Sequence, residues 1–305
     1  MIDKILLLPA FEGIDQAAMR RTAALATAAG AAVHVFKPVY EPHLEGYLGN
    51  KAVYASLRQR FVDETREQQE ALAQSLRDQG IDSTAGATWG HPAHEAVAAE
   101  VLSSGANIVV TAPSEPSGAL SHDDWKLVAS CPVPLLLVMS DGSQRYKHIV
   151  AALDPYHEHG KPAELDISIL EHADELRSLT QGELRVLHCF TPLSEFVARG
   201  LEQLPVKDAE NALEKARRDA LMQIVKQVGL EEKAAELTAG RPARVLLAMA
   251  ERGEADLFVL GSVSRSIWRE FFIGSTTERV LRQTKTDTLI VKPPGSRVTV
   301  SVQTR

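Results

Sequence analysis

The chain has 305 residues, 45% hydrophobic and 24% charged, a balance that excludes disordered or collagen-like chains and fits two ordinary domains. Its 33 basic and 40 acidic residues give a net charge of -7, which argues against broad binding to nucleic-acid backbone or anionic lipid. The longest apolar run, around Leu135–Met139, is far short of the roughly 20 residues of a membrane span, Met1-Ile2-Asp3-Lys4-Ile5 lacks a secretory pattern, and the two cysteines, Cys131 and Cys189, make no disulfide framework, so the expected setting is cytoplasmic, without nucleic-acid or membrane partners.

In chain order, Ile5–Leu8 reads as a strand, and the helix after Glu12-Gly13 stops at Gly30, a residue suited to a left-handed cap. Val33–Phe36 is a second strand. A long helix follows, with Phe61, Thr65, Leu72 and Leu76 on one face. Gly90-His91-Pro92-Ala93 leads into a helix ending at Gly105, followed by strands at Ile108–Val110 and Leu135–Val138. After the polar turn Asp141-Gly142-Ser143-Gln144 the same series recurs. It has strands at Val150–Leu153, Leu187–Phe190, Leu257–Leu260 and Leu289–Val291, a helix face of Leu213, Ala220, Ile224 and Val228, and a helix ending at Gly253. The strands are apolar without alternation, as in a parallel sheet covered on both faces.

The chain therefore repeats itself at a spacing near 150 residues. Ile5–Pro9 matches Val150–Asp154, and Val33–Phe36 matches Leu187–Phe190. Gly90–Ala93 matches Gly240–Ala243, and Ala106–Ala112 matches Ala255–Gly261. The expected architecture is α/β: two tandem, doubly wound, parallel five-stranded domains over 1–142 and 146–296, packed as a pseudo-dimer, with a short polar tail over 297–305.

Ligands of open parallel sheets bind beyond the carboxyl ends of the strands, where the strand order reverses. In the second half those ends carry Asp154 and Gly261-Ser262-Val263-Ser264, then Gly274-Ser275-Thr276 opening a helix whose free N–H groups suit phosphate. Arg265 and Arg269 lie between. The first half has Pro9 in place of Asp154 and Ala112-Pro113-Ser114 in place of the glycine loop, and its Gly-Ser helix start is missing. His91 and His94 are three residues apart, a spacing seen in metal sites and equally at an exposed helix start; no metal is assigned. His34 and His188, at matched positions, read as hydrogen-bonded structural histidines.

These residues resemble the universal stress protein family, whose pattern is Gly-x2-Gly-x9-Gly-Ser/Thr after the fourth strand with an Asp ending the first. Gly261, Gly274, Ser275 and Asp154 match it, and Ser264 stands where the pattern has its second glycine. Asp124-Trp125 before Cys131-Pro132-Val133-Pro134 is similar to the tandem, E-type members. The resemblance implies stress tolerance and an adenine nucleotide, ATP or AMP with or without Mg²⁺, in the second half. Asp154 would then meet the adenine edge and the backbone near Cys189 would border the base. Gly261, Ser262, Val263 and Ser264 would pass under ribose and phosphates, and Gly274, Ser275 and Thr276 would hold the phosphates. With no Gly-x4-Gly-Lys loop, binding without efficient hydrolysis is expected, and no catalytic residue is assigned. The alternative is an interaction or scaffold module without nucleotide. Self-association beyond one chain is compatible with either reading, and no protein partner is indicated.

Overall fold

The computed structural model describes residues 1–9, 15–47, 49–115, 117–141, 145–156, 163–192, 206–262 and 274–295. It divides into two compact units, one over Met1–Arg145 and one over Tyr146–Gly295.

The first unit runs β1 (Lys4–Leu8), α1 (Asp15–Ala29), β2 (Ala32–Val39), a 3-10 turn (Pro42–Tyr47), α2 (Lys51–Arg77), β3 (Ser83–Trp89), α3 (Ala93–Ser104), β4 (Ile108–Thr111), α4 (His122–Ser130) and β5 (Leu135–Leu137). Its strands are parallel in the order β3-β2-β1-β4-β5. The second unit runs β6 (His148–Leu153), α5 (Ala163–Thr180), β7 (Glu183–Phe190), α6 (Val206–Gln227), a 3-10 turn (Glu232–Ala234), β8 (Ala235–Ala239), α7 (Pro242–Glu251), β9 (Leu257–Gly261), α8 (Ser275–Leu281) and β10 (Asp287–Val291). It repeats the order as β8-β7-β6-β9-β10, again all parallel. Each sheet is thus doubly wound, with its order reversing between β1 and β4 or between β6 and β9.

Strand ends and helix ends are built alike in the two units. Asn107 accepts from the backbone N–H groups of Asp3 and Lys4 at 3.2 and 3.3 Å, and Asp256 accepts from Lys147 and His148, both at 2.9 Å. Both side chains close the start of a first strand whose amides would otherwise lack partners. Gly30 sits at φ +66° and closes α1, as its sequence position predicts.

These shared contacts correct the register of the repeat. Ala32 donates to Asp3 and Glu183 to Lys147, so Asp3 corresponds to Lys147, and Lys4 to His148. Leu153 therefore stands opposite Pro9, one residue away from the match read in the sequence. Along β2 and β7 the shift is three residues. His34 pairs with Leu6 near the start of its strand, whereas His188 pairs with Leu153 near the end of its own. The two histidines do not occupy equivalent places. Aliphatic runs match one another equally well after a small slide, and only the hydrogen-bond ladder penalises it.

The long helices slip in the same way. In α2 the buried stripe is Val62, Gln69, Ala73 and Leu76, while Phe61 is 36% exposed. In α6 Leu221 and Val225 are buried and Leu213 is 46% exposed. Neighbouring apolar stripes on a helix lie only about 100° apart, so which one faces the sheet depends on what lies beneath it.

Candidate functional site

The switch point of the second unit brings together the carboxyl ends of β6 and β9, with Asp154 just beyond one and Ser262 just beyond the other. Asp154 is half-buried, and its carboxylate makes no hydrogen bond or ion pair among the described residues. Its backbone N–H is 3.4 Å from Oδ1 of Asp166, a fully buried carboxylate in the first turn of α5. Asp166 was not singled out in the sequence, although the repeat contains the signal. Ala31 donates to Ala26 as Gly182 donates to Arg177, an offset of 182 − 31 = 151, and 166 − 151 places Asp166 at Asp15.

Ser262 is 1% exposed. Its backbone N–H donates to Val291 O at 2.8 Å, and its hydroxyl has no partner among the described residues. A buried hydroxyl without a partner costs about 1–3 kcal/mol, which makes it a conspicuous feature of this end of the sheet. Val263 and Ser264, with Arg265 and Arg269, lie outside the described residues.

Gly261 has a different cause from the one its sequence suggests. A Cβ there would lie 2.9 Å from Leu165 Cδ2 and 3.0 Å from Ile169 Cδ1, both on α5. The glycine lets α5 pack against β9. In the first unit the corresponding place is Ala112, and the residue matching Ile169 is Ala18 (169 − 151). A methyl is present on one side there and missing on the other.

Gly274, at φ +97°, begins α8 in a conformation that side-chain-bearing residues rarely adopt, and among the described residues no atom lies within 4 Å of the place of its missing Cβ. Ser275 is exposed and Thr276 half-buried. Thr277, buried at the third position of α8, donates through Oγ1 to Gly261 O at 2.8 Å and ties the helix to the end of β9. Glu278 pairs with Arg282 at 2.8 Å, one turn on. Both carboxylate and guanidinium are thereby directed along the helix surface.

Cys189 is half-buried and packs against the apolar cluster of Val150, Leu187, Leu246 and Phe258. Burial, reinforced by Glu236, pushes its thiol up to about 12. It is a neutral packing group whose side chain carries no reactive chemistry.

The first unit fills the matching region with its own atoms. Asp124, also at the third helical position, is 9% exposed. Its Oδ2 accepts from the backbone N–H groups of Ser114 and Ser121 at 3.0 and 2.8 Å, and lies 2.7 Å from Ser114 Oγ. Ser121 Oγ in turn accepts from Asp124 N at 3.2 Å. Thus one copy closes loop to helix with a carboxylate that consumes N–H donors. The other does so with a hydroxyl that consumes a carbonyl. The cap contacts of Cys131 on Leu127 and Thr284 on Val280 equate Asp124 with Thr277. They also make the first-unit connection four residues shorter (284 − 261 = 23 against 131 − 112 = 19).

Elsewhere, His34 lies 2.8 Å from Thr84 Oγ1 and 3.0 Å from Glu100, with its pKa lowered chiefly by burial. His188 Nδ1 donates to Leu153 O at 3.2 Å. His91 stacks on Tyr40 at 4.1 Å, and His94 is buried, with its pKa lowered by that burial. Among the described residues no group of three His, Cys, Asp or Glu side chains converges on a metal position. No described helix is long and apolar enough to cross a membrane.

Residues 145–292 match the model of the universal stress protein family. Universal stress protein E of Photorhabdus laumondii is 23% identical over 92% of this chain and 92% of its own length. Universal stress protein E of Escherichia coli K12 is 24% identical over 92% of this chain and 90% of its own. Among solved structures, a functionally unknown protein of Pseudomonas aeruginosa PAO1 superposes with a TM-score of 0.71 at 21% identity, covering 96% of this chain and 93% of that one. A universal stress protein from Archaeoglobus fulgidus superposes with a TM-score of 0.67 at 16% identity, covering 95% and 98%. Residues 145–292, nearly all of the second unit, thus belong to the universal stress protein family, and curated universal stress proteins E align with more than nine-tenths of the chain.

Proposed function

We propose that the second unit binds an adenine nucleotide, ATP or AMP, as a structural or signalling ligand in a stress-response protein, and that the first unit does not. The observation that carries this reading is the buried hydroxyl of Ser262, at the switch point beside the carboxylate of Asp154, both without a side-chain partner among the described residues. In the family pattern these two places flank the nucleotide. Asp154 suits an exocyclic amino group, and the backbone at Cys189 lies on the neighbouring strand. The N–H groups that open α8 after Gly274 suit phosphate oxygens. Mg²⁺ would accompany a triphosphate. The first unit has Asp124 where a phosphate would have to enter, and a carboxylate repels it.

The expected chemistry is binding without efficient turnover. Of the two carboxylates nearest the crevice, Asp154 belongs to the base end and Asp166 is committed to the backbone beneath it. Glu278, near the phosphate end, is engaged by Arg282. A positioned base for an attacking water is therefore missing from this set.

An interaction module without nucleotide is the second reading. It is favoured by Gly261, whose missing side chain is required by α5 whether or not a ligand is present. Mass spectrometry of small molecules released from the purified protein, with calorimetry of ATP, separates the two. One nucleotide per chain supports the first reading, and none supports the second.

A further inference from the structure

Around the end of β7 the second unit holds a cluster that the family pattern does not contain. Arg217 of α6 places its guanidinium 5.0 Å from the ring centre of Tyr156, two residues after Asp154, and 5.8 Å from that of Phe190. One of its terminal nitrogens is 3.3 Å from Nε2 of His188, a residue 3% exposed. Arginine only donates, so Nε2 accepts and the ring proton sits on Nδ1, where it donates to Leu153 O. The guanidinium plane is therefore held from two sides, by aromatic rings and by an imidazole anchored on the strand that leads into Asp154. Tyr156 is 42% exposed despite this cover, so the cluster opens to solvent at the crevice rim.

The first unit serves as an internal control. Ile81 donates to Leu76 as Leu230 donates to Val225, an offset of 149, which sets Gln68 at the place of Arg217. The β-ladder offset of 151 sets Lys37 and Val39 at the places of His188 and Phe190. Features that serve the fold, such as the Asn107 and Asp256 closures, occur in both copies. The first unit has an arginine-aromatic contact of its own, Arg58 of α2 at 5.7 Å from the ring centre of Trp89 on β3, but at other positions; the Tyr156, His188 and Arg217 arrangement occurs only in the copy with Asp154.

We propose that Tyr156 and Arg217 form the platform that receives the nucleobase, and that Arg217 is a specificity-determining residue of the nucleotide site. The proposal rests on the reading that this unit binds a nucleotide. A flat guanidinium packed on an aromatic ring is an apolar, cationic surface suited to the π-face of a base. His188 is a positioning residue that orients it.

The test is calorimetry on the full chain with three probes, ATP, adenosine and inorganic tripolyphosphate. Wild type is compared with Arg217→Gln, the first unit's own solution, with Arg217→Lys, and with Tyr156→Leu as a second site should an arginine variant fold poorly. The expected result is that all three variants lose about tenfold in affinity for ATP and for adenosine alike, within the range for losing one base-stacking group, while tripolyphosphate binding is unchanged. Arg217→Lys tracking Gln marks the planar group, and not charge, as the requirement. Undiminished ATP binding in the variants, or an equal loss for tripolyphosphate, overturns the platform while leaving nucleotide binding intact. Failure of wild type to bind ATP or adenosine overturns both.

Discussion

Gly261 offers a direct way to separate packing from ligand binding. Replacing it by Ala introduces a Cβ at 2.9 Å from Leu165 Cδ2 and 3.0 Å from Ile169 Cδ1, closer than van der Waals contact allows. Ile169 and Leu165 are fully buried against the sheet, so neither side chain can swing away into solvent. Overpacking of one methyl in such a core costs about 1–3 kcal/mol. Ile169→Ala removes the opposing group and by itself costs about 2–5 kcal/mol through the cavity it leaves. In the double variant the new methyl points into that cavity, reproducing the Ala112 and Ala18 pair of the first unit. The loss should then fall short of the sum by about 1–2 kcal/mol, well inside the range measured for residues in contact. Urea unfolding without nucleotide, followed by amide exchange of second-unit residues, measures all four corners of the cycle. Additive losses, or an unaltered stability of Gly261→Ala in the absence of ligand, would refute the packing argument and return Gly261 to a purely ligand-driven role.

Thr277→Asp should install in the second unit the carboxylate that Asp124 supplies in the first, lowering ATP affinity at least tenfold by calorimetry, and should also lower the thermal midpoint because the bond to Gly261 O is lost; unchanged affinity in the folded variant would show that no anion enters there. Cys189, with its thiol at about 12, should resist maleimide in the native protein at pH 8, where roughly one part in ten thousand is thiolate; rapid labelling detected by mass spectrometry would contradict its burial. His34 and His94 have pKa values lowered from 6.5, so the unfolded chain takes up their protons first. Their contribution is complete above about pH 6.5 and should drain away as pH falls towards the depressed values, and His94→Gln should flatten that slope in denaturant melts. Asp124→Ala should strand the N–H groups of Ser114 and Ser121 and cost about 1–3 kcal/mol, a loss that calorimetric unfolding will register.

The sequence by itself determined the order of strands and helices, the duplication, and the unlikeness of the two halves at their strand ends. Each of these is written in local composition. Unbroken aliphatic runs must be strands covered on both faces, Gly30 must follow a helix end, and Ala112-Pro113-Ser114 cannot repeat the glycine loop that begins at Gly261. The tertiary structure decided what depends on neighbours distant in the chain. The register of the repeat moved by one residue at β1 and by three at β2, because runs such as Ile5–Leu8 and Val150–Leu153 are interchangeable until hydrogen bonds lock them. The buried stripe of α6 turned by one residue, and that of α2 did so up to Leu76, which is buried as its position predicts, since the sheet beneath chooses between adjacent apolar stripes. Gly261 acquired its reason from Leu165 and Ile169, about a hundred residues earlier in the chain. Arg217 joined Tyr156 and His188 only because α6 crosses the end of β7. A side chain's type is local, but its function here is set by which surfaces the sheet brings to its carboxyl edge.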